Sequence, residues 1–129
     1  MRYVVDTHAL VWHLTNDRRL GSQARRVLDD DSARLIVPSI VLAEAKYIAE
    51  RKRVALTFKQ ILDAIVSSPN TSVFPLDVFA VEYMPEHFEI HDGIIVASAL
   101  FCQEFFRDEI AILTNDRAIT ESGLVATLW

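Results

Sequence analysis

Four carboxylates stand inside or against apolar segments of the chain, where an unpaired charge is costly to desolvate. Asp6 closes the run Tyr3-Val4-Val5, and Glu44 lies within Ile40-Val41-Leu42-Ala43-Glu44-Ala45. Asp92 opens Gly93-Ile94-Ile95-Val96-Ala97, and Asp116 follows Ile110-Ala111-Ile112-Leu113-Thr114-Asn115. Acids spread so widely along a chain suggest that folding gathers them into one pocket. An acidic pocket with no obvious basic partner reads as a site for a hard divalent cation, Mg²⁺ or Mn²⁺, which both take carboxylate and water ligands. The chemistry that follows is attack of metal-activated water on a phosphodiester. Electrostatics supports the cation. Two unit charges about 4 Å apart repel by about 1 kcal/mol in water and about 4 kcal/mol at an effective dielectric near 20. Several such pairs would consume much of a domain's stability of about 5–15 kcal/mol.

Each acid also has a purely structural explanation. Asp6 or Thr7 can cap the helix that follows, and Asp92 can cap its own helix. Asn115 can cap the turn after the last acid, with Asp116 complementing the helix dipole. Glu44 interrupts the helical stripe Ile40, Tyr47, Ile48, where a buried Glu held by Arg or Tyr is the structural alternative. His8 and His91 flank Asp6 and Asp92 and are expected at the surface or in hydrogen bonds around the acids rather than as metal ligands. His13 and His87 carry no argument. No glycine-rich phosphate loop and no serine nucleophile elbow is present.

The elements that must position these acids alternate in type. Arg2 to Val5, Arg34 to Val37, Thr71 to Phe74, Ile110 to Leu113 and Leu124 to Leu128 read as short apolar strands. Between them the spacing predicts a short helix over Leu10–Leu14 and a second from Gly21-Ser22, with Ala24, Val27 and Leu28 inward. A third begins at Pro38-Ser39, with Ser39 as N-cap, and runs to about Arg53. A fourth is capped by Thr57, with Phe58, Ile61, Leu62 and Ile65 as its stripe. Asp77 caps a helix that Pro85 ends. A nearly all-apolar helix runs from Asp92 to about Phe105, and Arg117 to Glu121 forms a helical turn. Apolar strands alternating with helices predict an α/β fold with a parallel sheet covered on both faces. Ligands on such sheets bind beyond the carboxyl ends of the strands, where Asp6 and Asp116 are placed.

Composition narrows the classes further. At 129 residues the chain fits a single domain, expected over residues 1–129, and its 51% apolar content excludes disorder. The one cysteine, Cys102, cannot form an intrachain disulfide, and a reducing, cytoplasmic setting is the simpler expectation. The N-terminal apolar stretch is too short for a signal peptide. The longest apolar stretch, Ile94 to Cys102, falls far below the roughly 20 residues of a membrane helix. The formal net charge of −5 argues against gripping nucleic acid by overall charge. Local patches must then supply it. Arg18-Arg19, Arg25-Arg26 and Arg51-Lys52-Arg53 are candidates, and Arg51, Lys52 and Arg53 are the best placed to contact substrate.

The blocks Val4-Val5-Asp6-Thr7-His8-Ala9-Leu10-Val11-Trp12, Ser39 through Glu44, Ile90-His91-Asp92-Gly93-Ile94-Ile95-Val96-Ala97-Ser98-Ala99-Leu100 and Leu113-Thr114-Asn115-Asp116 together resemble the successive signatures of PIN-domain proteins, with VapC-type toxins of toxin–antitoxin pairs as the best match. The resemblance spans essentially the whole chain. It implies a three-layer α/β/α PIN-like fold with a central parallel sheet, and Mg²⁺- or Mn²⁺-dependent endoribonuclease activity. Asp6, Glu44, Asp92 and Asp116 match the family's acidic positions, and Thr114 matches a hydroxyl residue near the last acid. The resemblance also implies a homodimer and a cognate antitoxin reaching into the acidic groove. The chain departs from one common form of the family at Glu89, where an Asp is frequent, and at Gly93, where an Arg is frequent.

Two other classes compete. Aspartyl-phosphate chemistry also uses an Asp at a strand's carboxyl end. It calls for a lysine near the sheet edge, and Lys46, Lys52 and Lys59 all read on helices. Some of that class also want a second Asp at the position His8 holds. A non-catalytic RNA- or protein-binding domain of the same fold would be favoured by loss of acids, and none is lost.

Overall fold

Five short strands make one sheet in the computed structural model, which describes residues 1–129. They are β1 (Arg2–Val5), β2 (Arg34–Pro38), β3 (Thr71–Phe74), β4 (Ile110–Leu113) and β5 (Ala126–Leu128). The order is β3-β2-β1-β4-β5 and every neighbouring pair is parallel. β1 is therefore central, with Val4 opposite Ile36 on one side and Ile112 on the other. Val4, Val5, Ile36, Val37, Ile112 and Leu113 are all buried, as strands covered on both faces require.

The helices are α1 (Thr7–Leu14), α2 (Ser22–Leu28), α3 (Ser39–Glu50), α4 (Phe58–Val66), α5 (Val78–Val81), α6 (Ile90–Phe106) and α7 (Arg117–Ser122). The steps β1 to β2 to β3 run in one direction, so right-handed crossovers put α1 through α4 on one face. The return to β4 and on to β5 puts α5, α6 and α7 on the other. Helix pairing agrees: α1 packs on α2 and α3, α3 on α4, and α5 on α6. The outcome is the three-layer α/β/α fold with a central parallel sheet. α3 also meets α6. That contact joins the two helical layers.

Every expected strand is present. The last is shorter than Leu124–Leu128, because Leu124 is exposed and only Ala126–Leu128 pairs with β4. Three caps differ from expectation. Pro38 rather than Ser39 occupies the N-cap of α3; Ser39 Oγ instead accepts from the Leu76 amide at 3.1 Å. Glu89 rather than Asp92 caps α6, accepting from the amides of His91 and Asp92. Asp116 rather than Asn115 caps α7, accepting from the Ile119 amide at 3.0 Å. α3 ends at Glu50, short of Arg53, because Lys52 turns to φ 53°. Arg53 N–H then reaches Ile48 O and Lys52 N–H reaches Ala49 O, a Schellman closure. Thr57 caps α4 in a full capping box, and Asp77 caps α5, both as expected. Of the α4 stripe, Ile61 and Ile65 are buried, whereas Leu62 is exposed. No helix is long and apolar enough to cross a membrane.

Candidate functional site

Strand order decides where the acids meet. β1 and β4 are neighbours, so the residues leaving their carboxyl ends, Asp6 and Thr114, are neighbours too. Thr114 is 2% exposed, and its hydroxyl donates to Asp6 Oδ2 at 2.5 Å while accepting from the Asp116 amide at 3.0 Å. One buried hydroxyl thus ties the first acid to the last, with Asp6 and Thr114 standing 108 positions apart in sequence. Asp6 Oδ1 takes the Thr7 amide at 2.6 Å, so Asp6 is both a helix cap and a member of the cluster.

Glu44 arrives from α3. Thr7 is buried, and its hydroxyl donates to Glu44 Oε1 at 3.2 Å. The expectation that Glu44 interrupts a core stripe is corrected. The core face of α3 is Val41, Ala45 and Ala49, whereas Ile40 and Ile48 are half-buried and Tyr47 is 50% exposed. Glu44 stands on a second stripe that lines an open groove. Neither Arg nor Tyr holds it. Asp92 arrives from the first turn of α6, and its carboxylate accepts no hydrogen bond from protein.

The electrostatics shows the four acids near one another. Burial raises Asp6, a displacement opposed by the bonds from Thr114 and Thr7 and by His8, and reinforced by Asp116. Burial also raises Glu44, opposed by Thr7 and His91 and reinforced by Asp6 and Glu89. Asp92 is pushed up to about 6, first by burial and then by Asp116, Asp6, Glu89 and Glu44. None of Asp6, Glu44, Asp92 and Asp116 makes an ion pair. An uncompensated anionic pocket of carboxylates is the donor set that suits a hard divalent cation. Placement is a separate matter. No group of three or more His, Cys, Asp or Glu side chains is closed into an arrangement that could hold a metal ion. Asp6 gives one oxygen to the Thr7 amide and the other to the Thr114 hydroxyl, and Asp116 gives Oδ1 to the Ile119 amide.

Two residues of this cluster were not singled out from sequence. From sequence Thr7 is only a possible cap, yet its position one residue after Asp6 sends its side chain from α1 towards Glu44 of α3. Glu89 adds a fifth charge that raises both Glu44 and Asp92. The basic triplet divides. Arg53 lines the groove beside Glu44 together with His8 and His91. Arg51 stacks on Tyr47, its guanidinium carbon 3.4 Å from the ring centroid. Lys52 lies on a different concavity with Thr57 and Phe58. Of the three lysines, Lys46 and Lys59 are on helix surfaces, paired to Glu50 and Asp63, whereas Lys52, expected on a helix, lies in the turn after α3.

A family model described as "PIN domain" matches residues 3–122. Among solved structures, the chain is similar to one in the "Crystal structure of VapBC2 from Rickettsia felis bound to a DNA fragment from their promoter". The match covers 99% of this chain and 98% of that one, with a TM-score of 0.71 and 16% sequence identity. At that identity the likeness is one of fold. Comparison with curated proteins finds no match.

Proposed function

The chain belongs to the PIN domain family, whose members are generally nucleases, and on that premise we propose that it is a divalent-metal-dependent endoribonuclease, the toxin of a toxin–antitoxin pair. The observation that carries the reading is the acid cluster at the carboxyl edge of β1 and β4. It holds four carboxylates with no ion-pair partner, and Asp92 is displaced to about 6. Charge left uncompensated at a sheet's functional edge is a feature of sites rather than of scaffolds.

In this reading Asp6, Asp92 and Asp116, with Glu44, hold Mg²⁺ or Mn²⁺. A divalent ion held there would supply water activation and charge stabilisation at phosphoryl oxygens. The protein's own contribution is positional. Thr114 fixes the Asp6 carboxylate, Thr7 fixes Glu44, and the α6 N-terminus presents Asp92. Arg51 and Arg53 meet the RNA backbone, supplying locally the attraction that a net charge of −5 denies globally. The similar chain belongs to a structure of VapBC2 bound to a DNA fragment from their promoter, which supports a protein antitoxin as partner. Exposed Val78 and Phe79 of α5 and Phe105 of α6 are available to a second copy in a homodimer. The setting is cytoplasmic.

The open placement of the acids favours one alternative, a PIN-like domain that binds RNA or protein without cutting. One experiment separates the two. Purified protein incubated with single-stranded RNA should cleave it in Mg²⁺ or Mn²⁺ and leave it intact in excess EDTA. Equal cleavage in EDTA by protein free of contaminating nuclease would sink metal dependence. No cleavage in either ion would leave the binding-domain reading.

A further inference from the structure

The groove beside Glu44 is not needed to explain the acids. Its floor is one helical stripe of α3, with Ile40, Glu44, Tyr47 and Ile48 at spacings of three and four, so it is a continuous surface. His8 from α1, His91 from α6 and Arg53 after α3 complete the walls around about 510 Å³. That volume is in the roughly 300–1,000 Å³ range of small-molecule clefts, so the open groove has room for one base. Ile40 and Ile48 offer an apolar floor, and Tyr47 offers a half-exposed ring. The ring is not free to wander, because the Arg51 guanidinium is stacked on it at 3.4 Å. Two imidazoles and a second guanidinium give hydrogen-bonding edges. One floor residue, Glu44, belongs to the acid cluster itself.

Building on the ribonuclease reading, we propose that this groove is a nucleobase subsite, which seats one unstacked base of the RNA on Tyr47 while the neighbouring phosphate lies at the acids. Sequence-tolerant recognition of single strands works through bases splayed onto aromatic and guanidinium planes. Here an arginine-backed tyrosine stands one helical turn from Glu44 on the same face of α3. A strand crossing the acid cluster with one base turned into the groove passes Arg53, which gives the phosphate a cation where the protein's net charge offers none. Tyr47 is a positioning residue in this scheme and touches no reacting atom.

The test is steady-state cleavage of a labelled single-stranded RNA in Mg²⁺ by the full chain, its Tyr47→Ala variant and its Tyr47→Phe variant. Stacking on an aromatic ring contributes enough that Tyr47→Ala should raise KM about tenfold or more, with kcat changed less than about twofold. Tyr47→Phe keeps the ring and should restore KM. A second series walks a single abasic nucleotide along the RNA. At one position next to the cleaved bond it should raise the wild-type KM by a similar factor and add little to Tyr47→Ala, since both remove one interaction. An unchanged KM in Tyr47→Ala, or abasic and alanine effects that multiply at every position, overturns the subsite while cleavage by the wild type leaves the nuclease reading intact. The groove would then belong to a protein partner. If the wild type cuts no RNA, the nuclease reading itself falls and the subsite falls with it. Because Tyr47 is half exposed, its truncation leaves no core cavity, and equal melting temperatures for the three proteins show that the comparison is between folded molecules.

Discussion

Replacing Asp92 with Asn removes one charge from the crowded cluster and nearly preserves shape. In the folded protein this carboxyl sits at about 6 instead of 3.8, because burial and then Asp116, Asp6, Glu89 and Glu44 oppose its ionisation. That displacement corresponds to at most about 3 kcal/mol at neutral pH. Asp92 is partly open to water, whose screening reduces the figure to about 1–2 kcal/mol. Its favourable place in the first turn of α6 returns about 0.3–1 kcal/mol. The Asp92→Asn protein, free of metal at pH 7–8, should therefore be more stable by about 1 kcal/mol, or about 3–5 °C in Tm for a domain of this size. The pH dependence has a definite sign. A carboxyl with a raised folded pKa binds its proton more tightly in the native state, so wild-type stability falls as pH rises from 3.8 through about 6. The gap between variant and wild type should vanish below about pH 4 and be complete above about pH 6. Thermal melts by circular dichroism in EDTA across that range measure it. Repeating them with Mg²⁺ should raise the wild-type Tm more than the variant's, since ligand bound only to the folded state stabilises it. The variant should also fail to cut RNA. A gap independent of pH, or equal Mg²⁺-induced shifts in both proteins, would refute a shared acidic site.

Other perturbations test the supports. Thr114→Val keeps the shape of a residue 2% exposed but removes the hydroxyl that serves Asp6 and Asp116; it should cost about 1–3 kcal/mol in urea melts and lower cleavage, whereas Thr114→Ser should retain both. Lys52→Gly relieves a left-handed φ of 53° just past α3 and should stabilise by about 0.5–1 kcal/mol; a destabilised variant would contradict the Schellman closure. Among the basic triplet, Arg53→Gln should weaken RNA binding and flatten its salt dependence more than Lys52→Gln, because Lys52 lies on another concavity; equal effects in a salt titration would count against the groove as the strand's path.

The fold was legible because its inner strands are largely apolar and its helices carry regular stripes. Ile110 to Leu113 and Arg34 to Val37 could scarcely be anything but central strands. The caps were less legible, for a local reason. Glu89-Ile90-His91-Asp92 offers two acids within one turn, and the choice between them is set by which backbone is already helical. Glu89 is extended at φ −59°, ψ 144°, so it caps, and Asp92 becomes a first-turn residue aimed at the cluster. The same logic gave the α7 cap to Asp116 over Asn115. Glu44 is visibly out of place in the sequence, but the stripe it interrupts is the groove face of α3 rather than its core face. Its helix has two apolar stripes, and periodicity cannot say which is buried. The answer depends on the tertiary partners of α3, which packs on α1, α4, α6 and β2.

The convergence of the acids was foreseeable only as a pattern, and the way they are held was not foreseeable at all. Arginine or lysine partners would have stabilised each carboxylate and neutralised it. Two buried threonines do something different. Thr7 and Thr114 each donate one hydrogen bond, which favours the charged form of its acid, yet neither brings a charge of its own. Asp6 and Glu44 remain net raised despite those bonds, because burial outweighs them. The cluster is thereby fixed in position and left electrostatically unsatisfied. A pocket of that kind is poorly suited to serve only as scaffold, since apolar replacements of similar size would be more stable. It is well suited to a site whose missing positive charge is supplied by what binds there.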